Sequence, residues 1–362
     1  MSEHLTLFSI IQTLAMGAAL VGLFVLVLGP LALRLRLVDR PGGRKHHTGN
    51  IPLIGGPALA LMLLTLPLFS GIPNPGWLIM GGMVLVITGI ADDRWQLSAS
   101  FKLLVQLLAA AIAVIGGGAV VTNFGLFFGE DITGSYVTGM VFSVIALTGM
   151  INAFNMIDGI DGLAASLATF TLTCLMVLVV YLNGQATPFF IHVCLALIGG
   201  LCAFLVFNLG FIPRRKIFLG DSGSMLIGLM VGVLLIKASE GALDHGQRPF
   251  PTAMVLWITA VPVMDTVSLI FRRLARGVSP FSPDRTHFHH LIMQAGASPR
   301  QTLGIILLVA CALAGAGWGI TSLFGSSLSI ILWAAIFLSY LVVSIMVGRK
   351  LRKTASASKL SA

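Results

Sequence analysis

Long uninterrupted apolar runs, each closed by a short polar loop, constrain this chain more than any other feature. The runs are roughly 16–22 residues long, close to the length an α-helix needs to cross a hydrocarbon layer. In lipid, backbone polar groups must be satisfied internally, so only helices or closed barrels serve. Barrel strands alternate apolar and polar residues, whereas these runs are continuous, so the expected fold is an all-α polytopic membrane protein. Eleven spans are expected, at 6–33, 53–70, 77–91, 103–121, 138–153, 163–182, 189–208, 222–237, 252–270, 302–323 and 327–348. The third and fifth are short for a full crossing, and are expected to be tilted or to continue into the motif that follows each.

Composition agrees. Of 362 residues, 57% are hydrophobic and only 10% are charged, against about 25% charged in soluble domains. The longest polar stretch, 271–301, is too short for a core of its own, which argues against a soluble catalytic domain. One transmembrane domain over 1–348 is expected, followed by a basic cytoplasmic tail, 349–362, that is disordered.

Charge orients the chain. Of 22 Lys and Arg, 20 fall in the alternate segments 34–52, 92–102, 209–221, 271–301 and 349–362. Only Lys237 and Arg248 fall on the other side. The positive-inside rule puts those five segments in the cytoplasm, the N-terminus in the periplasm and the C-terminus inside. The net charge of +9 reads as topology and attraction to anionic membrane lipids, with no nucleic acid implied. The first span lacks a basic leader and a small-residue cleavage site, so it is expected to be an anchor. Cys174, Cys194, Cys202 and Cys311 all fall inside spans and read as packing residues.

Five carboxylates then stand out, because each sits where an apolar run ends. An acid near a membrane is costly unless hydrated, paired or bound to a cation. Asp92-Asp93 close the third span, and adjacent carboxylates need a cation or base to compensate them; a solvated helix cap is the alternative. Lys102 opens the next span near the same face and can hold a phosphate as a point charge; a Lys that only anchors the topology is the alternative. Asn152, Asn155, Asp158 and Asp161 recur every three residues, so neighbours share a helix face while the ends of the series drift apart. Gly159 and Gly162 loosen the backbone enough for the oxygens to converge. Asp221 lies in a Phe-Leu-Gly-Asp-Ser-Gly-Ser stretch that approaches a helix N-terminus, where free N–H groups suit a phosphate; an N-cap Asp with Gly for close packing is the alternative. Arg214-Arg215-Lys216, just before it, can grip an anion or anchor the loop.

Two His-bearing loops share the cytoplasmic side. His287, His289 and His290 fall within four residues, without the Cys partners or helical spacing that zinc sites use. Phosphate recognition or proton transfer suits them better. His46 lies in a basic loop, 39–47, that reads as a flap over an anionic substrate or a lipid contact. Asp265, near the inner end of the ninth span, is expected to support the site or to pair with Arg272 or Arg273.

In this order the motifs resemble the polyprenyl-phosphate N-acetylhexosamine-1-phosphate transferase superfamily, glycosyltransferase family 4, from the 39–56 loop to His290. The stretch 279–291 is most similar to the bacterial N-acetylglucosaminyl 1-phosphate transferase (WecA) branch. The branch that makes the peptidoglycan precursor has three consecutive His there, which Phe288 interrupts here; WecA members often carry Ile at that position. The resemblance implies attack of undecaprenyl phosphate on the β-phosphorus of a UDP-N-acetylhexosamine, with Mg²⁺ or Mn²⁺, on the cytoplasmic face. It implies Asp221 and Asn155 as metal ligands, and Asp92, Asp93, Asp158 and Asp161 as catalytic residues. It implies Lys102, Asn152, Arg214, His46, His287, His289 and His290 as substrate-binding residues. The donor stays open among UDP-GlcNAc, UDP-FucNAc, UDP-QuiNAc and UDP-MurNAc-pentapeptide. So does the choice between direct attack, which the metal site favours, and an aspartyl-phosphate intermediate. The oligomeric state is open too, a homo-oligomer included. A cation-coupled transporter is the reading from another class, but it expects mid-span acids and an inverted repeat; a His-rich metal exporter would release no UMP.

Overall fold

The computed structural model describes residues 6–40, 49–70, 76–127, 130–183, 188–240, 251–275, 277–279 and 287–360. Helices dominate, as the apolar runs require. They are α1 (Leu7–Leu35), α2 (Gly55–Ser70), α3 (Gly76–Trp95), α4 (Ala99–Ala111, continued by a π-helical turn over Ile112–Gly116), α5 (Tyr136–Ile157), α6 (Leu163–Asn183), α7 (Pro188–Asn208), α8 (Gly220–Ser239), α9 (Ala253–Ile258), α10 (Ala260–Leu274), α11 (Phe288–Gln294) and α12 (Pro299–Leu360). Among the described residues, seven helices are long and apolar enough to cross a membrane: α1, α3, α4 with its π turn, α5, α7, α8 and α12; α2 and α6 are shorter apolar helices. Large apolar side chains lie exposed along them, among them Phe8, Leu23 and Val27 on α1 and Val137, Val141 and Ile145 on α5. Such a surface is tolerable only against lipid or another protein.

The chain divides into two compact units, Met1–Gly125 with Asp131–Pro251, and Leu126–Glu130 with Thr252–Ala362. In the first, α8 is the central helix. It packs on α2, α3, α5 and α6 and is buried from Ser222 to Ile236. Small residues make this possible, since they let helix backbones approach without a hydrophobic drive between helices. A Cβ at Gly228 would lie 2.6 Å from Ile151 of α5. A Cβ at Gly89 of α3 would strike the backbone of Ser222, and one at Gly56 of α2 would strike Gly223. Gly17 and Gly199 do the same between α1 and α7.

Local capping fixes several helix starts. Ser98 and Ser135 accept the backbone N–H groups of Phe101 and Thr138 through their side chains, satisfying donors that a helix leaves orphaned. The third and fifth spans do run on into their motifs. Asp92 and Asp93 sit in the last turn of α3, and α5 carries Asn152 and Asn155 before ending at Asp158.

Other features differ from expectation. The ninth span is broken at Thr259 (φ −105°, ψ 9°) into α9 and α10, and Pro262 follows in the first turn of α10, where its missing N–H costs nothing. The tenth and eleventh spans form one element, interrupted only at Gly325 (φ 81°). Within this unit, a Cβ at Gly317 of α12 would strike the Trp257 ring of α9, and the Trp257 indole N–H donates to Ser329 Oγ at 2.8 Å. The segment 349–360 continues α12 rather than leaving it. Short strands appear where only loops were expected: β1 (Val38–Asp39), β2 (Ile51–Pro52), β3 (Asn123–Phe127) and β4 (Glu130–Thr133). β1 and β2 pair antiparallel, with Val38 opposite Pro52.

Candidate active site

The segment after β2 positions the Asp221 motif. Phe218 N–H donates to Pro52 O (2.9 Å), Gly55 N–H to Phe218 O (3.0 Å) and Gly56 N–H to Leu219 O (3.1 Å). Asn208, at the end of α7, donates its side-chain amide to Ile217 O at 2.9 Å. These bonds hold 217–219 as a short ladder, and the chain then turns sharply at Gly220 (φ +72°) into α8. Asp221 therefore occupies the first turn of α8, where its charge complements the helix dipole.

Across from it, the end of α3 supplies two carboxylates. Asp93 Oδ1 accepts the backbone N–H of Asp221 at 3.2 Å. Asp92 Oδ1 accepts the Leu97 N–H at 2.7 Å, which folds the α3–α4 turn over its own carboxylate. Lys102, one turn into α4, then closes the group: its Nζ lies 2.7 Å from Asp92 Oδ2 and 3.1 Å from Asp221 Oδ2. Residues 119 positions apart in sequence meet there. Asp93 Oδ2 is buried and has no hydrogen-bond partner. A buried carboxylate oxygen without a partner is costly, so this atom marks a place for a cation or proton.

Gly220 exists for this oxygen. A Cβ there would lie 2.5 Å from Asp93 Oδ2, and a non-Gly residue at positive φ costs about 1–2 kcal/mol. Gly210 (φ +79°) has open space around it and pays only the backbone cost. Gly220→Ala is expected to lower the melting temperature in detergent clearly more than Gly210→Ala; equal shifts would show that Asp93 does not need the space.

The α5 motif faces the same helix. Asn152 donates to Gln106 Oε1 (2.7 Å) and to Thr148 O (2.8 Å), and Asn155 donates to Ser224 Oγ (2.9 Å). Asp158 ends α5 in a tight turn, φ −73° and ψ 57°, with Gly159 N–H donating back to Ile157 O at 2.8 Å. Those angles belong to an inverse γ-turn. Burial, and then the charges of Asp221, Asp161 and Asp93, push the Asp158 carboxyl up to about 8. Asp161 pairs with Lys216 at 2.5 Å, so Lys216 neutralises a motif carboxylate, and its Nζ also lies 5.3 Å from the centre of the Phe218 ring. Arg214 is exposed at positive φ (62°) in the same loop.

Asp92, Asp93, Lys102 and Asp158 thus gather about Asp221 at the start of α8, with Asn155 on Ser224 of the same helix, Asn152 held by Gln106 and Asp161 by Lys216. Among the described residues, no three His, Cys, Asp or Glu side chains form a closed metal cage. Mg²⁺ does not need one, since it binds through one or two carboxylates and completes its shell with water and phosphate. The partnerless Asp93 oxygen, with the Asp92 and Asp221 carboxylates beside it, supplies the oxygen ligands such an ion uses. Gln106 was missing from the sequence reading. It is buried (2% exposed), holds Asn152 and touches Met225 Sδ; its signal was a polar residue four positions after Lys102, on the same helix face. The role of residues 51–56 carried no comparable signal.

The second unit holds the His motif. His287 Nδ1 lies 2.9 Å from Asp265 Oδ2, while Asp265 Oδ1 accepts the Phe288 N–H (2.9 Å) and the Tyr340 hydroxyl (3.1 Å). Asp265 therefore holds the His motif. The His289 ring stacks at 19° to His287 and lies 4.2 Å from His290. Burial, and then His290 and His287, push His289 down to about 3. It stays neutral when folded but takes a proton when unfolded below its ordinary value of about 6.5. Its stability contribution is therefore complete above that value and falls by about 1.4 kcal/mol per pH unit below it. Wild-type protein is expected to lose melting temperature between pH 7 and 5 more steeply than His289→Leu; parallel slopes would contradict a neutral buried ring. His46 and residues 283–286 lie outside the described residues.

Comparison with known proteins adds to this geometry. A model of "Glycosyl transferase family 4" matches residues 76–239, from α3 to α8. Undecaprenyl-phosphate alpha-N-acetylglucosaminyl 1-phosphate transferases from Salmonella typhi and Escherichia coli (strain K12) are each 37% identical over 300 residues, 82% of this chain and 79% of theirs. The protein of that name from Haemophilus influenzae is 34% identical over 299 residues, 82% of both chains. With this identity over most of both lengths, and with the acidic motifs that the family resemblance rests on gathered around one helix, the chain belongs to glycosyl transferase family 4, the polyprenyl-phosphate N-acetylhexosamine-1-phosphate transferases.

Proposed function

We propose that the chain transfers N-acetylglucosamine 1-phosphate from UDP-GlcNAc to undecaprenyl phosphate, giving undecaprenyl-diphospho-GlcNAc and UMP. A phosphate oxygen of the lipid bonds to the β-phosphorus of the donor. The bond from that phosphorus to the bridging oxygen breaks, and UMP leaves with the electron pair. The names of the relatives support the acceptor and the transferred group. The observation that carries the reading is the Asp92–Lys102–Asp221 group with the partnerless Asp93 oxygen beside it.

Each residue has a role in that reading. Asp221, with Asn155 as its partner, would hold Mg²⁺ or Mn²⁺, which when bound offsets the charge of two phosphates that otherwise repel. Lys102 holds a phosphate as a point charge once Asp92 and Asp221 share it with the substrate. Asp92 and Asp93 orient the lipid phosphate and take its proton. Asp158 and Asp161 organise the site and meet the nucleotide, with Arg214 and His46 on the anionic substrates. His287, His289 and His290 recognise the donor's diphosphate or sugar. Direct attack is favoured, because positioning and charge compensation suffice for phosphoryl transfer without a covalent step.

The distribution of 20 of 22 basic residues supports the N-terminus in the periplasm and the site in the cytoplasm, the apolar runs support eleven spans, and the bacterial relatives support an inner membrane. The product would initiate a lipid-linked cell-surface polysaccharide of the O-antigen type. The test is UMP release by detergent-purified protein with undecaprenyl phosphate and a panel of UDP-N-acetylhexosamines, with Mg²⁺ or with EDTA. Metal-dependent UMP is expected with UDP-GlcNAc and not without the lipid. UMP with a different donor would keep the reaction and change the sugar, and none with any donor would refute the reading.

A further inference from the structure

The resemblance assigns work to the three His residues but none to Asp265, which is 1% exposed and lies in the second unit. Its carboxylate accepts three hydrogen bonds, from His287, the Phe288 backbone and Tyr340. A carboxylate is acceptor-only, so the His287 nitrogen facing it must carry the hydrogen: Nδ1–H donates. That fixes the tautomer and the ring plane, and leaves Nε2 as the free nitrogen. The Phe288 N–H bond ties the same carboxylate to the first residue of α11, so one side chain sets both the ring and the backbone that carries it. An aspartate placed this way holds an imidazole in one orientation and one tautomer.

We propose that Asp265 is the positioning residue for His287, fixing its ring so that Nε2 is the nitrogen left to meet the donor, with Tyr340 holding Asp265 in turn. The inference rests on the transferase reading above. Asp265→Asn keeps the shape and an acceptor for Phe288 and Tyr340, but it turns an N–H toward His287 or forces the ring to the other tautomer.

The experiment is a double-mutant cycle on full-length protein, reading kcat/KM for UDP-GlcNAc, KM for undecaprenyl phosphate, and melting temperature. Asp265→Asn is expected to lower kcat/KM for the donor by about 10–100-fold, the range for losing a partner that orients a working His, with the lipid KM unchanged. In a His287→Ala background the same change should cost nothing further. Tyr340→Phe is the milder second variant, with a smaller loss that also vanishes in that background; it decides the matter if Asp265→Asn does not fold. Losses that multiply with His287→Ala, or that fall equally on the lipid KM, would overturn the inference and leave Asp265 structural. Wild-type protein that neither turns over UDP-GlcNAc nor is thermally stabilised by it in EDTA would overturn the transferase reading, and this inference with it.

Discussion

Asp221→Asn is expected to lower UMP release by at least about a thousandfold, a barrier increase of about 4 kcal/mol, while the protein still folds and inserts. The substitution keeps the shape of the side chain and the backbone N–H that donates to Asp93. It removes the charge that reaches Lys102 at 3.1 Å and, with it, the carboxylate proposed above to hold the cation. Because Lys102 keeps Asp92 as a partner at 2.7 Å, and Asp93 and Asp158 stand close to Asp221, losing one acid eases the crowding in the cation-free protein. Its melting temperature without Mg²⁺ should therefore equal or exceed the wild-type value. Stabilisation by added Mg²⁺ should shrink at the same time. Near-normal turnover would remove Asp221 from the metal role.

Lys102→Gln is the second large effect, and it differs in kind. Lys102 is the cation between Asp92 and Asp221, and removing one partner of a buried pair costs about 3–5 kcal/mol. These side chains are between a tenth and a third exposed, so solvent takes up part of that cost. The variant is expected to melt lower, to lose about a hundredfold or more in turnover as a misaligned site does, and to gain more from added Mg²⁺ than wild type gains. A variant that melts and turns over normally would make Lys102 a topology anchor only.

The sequence revealed the elements better than their meeting points. Apolar runs found the helices because lipid leaves a backbone no other choice. The short third and fifth spans pointed correctly to α3 running on through Asp92-Asp93 and α5 through Asn155. The Gly-rich approach to α8 was legible too, since only glycine takes the turn at Gly220 beside Asp93. What stayed hidden was long-range. Nothing local says that Lys102 would bridge Asp92 and Asp221, that Lys216 would pair with Asp161, or that residues 52–56 would clamp 218–219. Those contacts follow from helix packing around α8, which single-sequence periodicity does not encode. The two-residue strands β1 and β2 were missed for the same reason, being defined only by each other.

The most direct measurement follows two labels at once. Purified protein is given undecaprenyl phosphate, Mg²⁺ and UDP-GlcNAc carrying one label in the β-phosphate and another in the sugar. Transfer of a phosphosugar carries both labels into the lipid in equal amounts and releases unlabelled UMP, which is the expected result. Sugar label in the lipid with the phosphate label left on UDP would mean plain glycosyl transfer and contradict the account, as would unchanged substrates from folded protein.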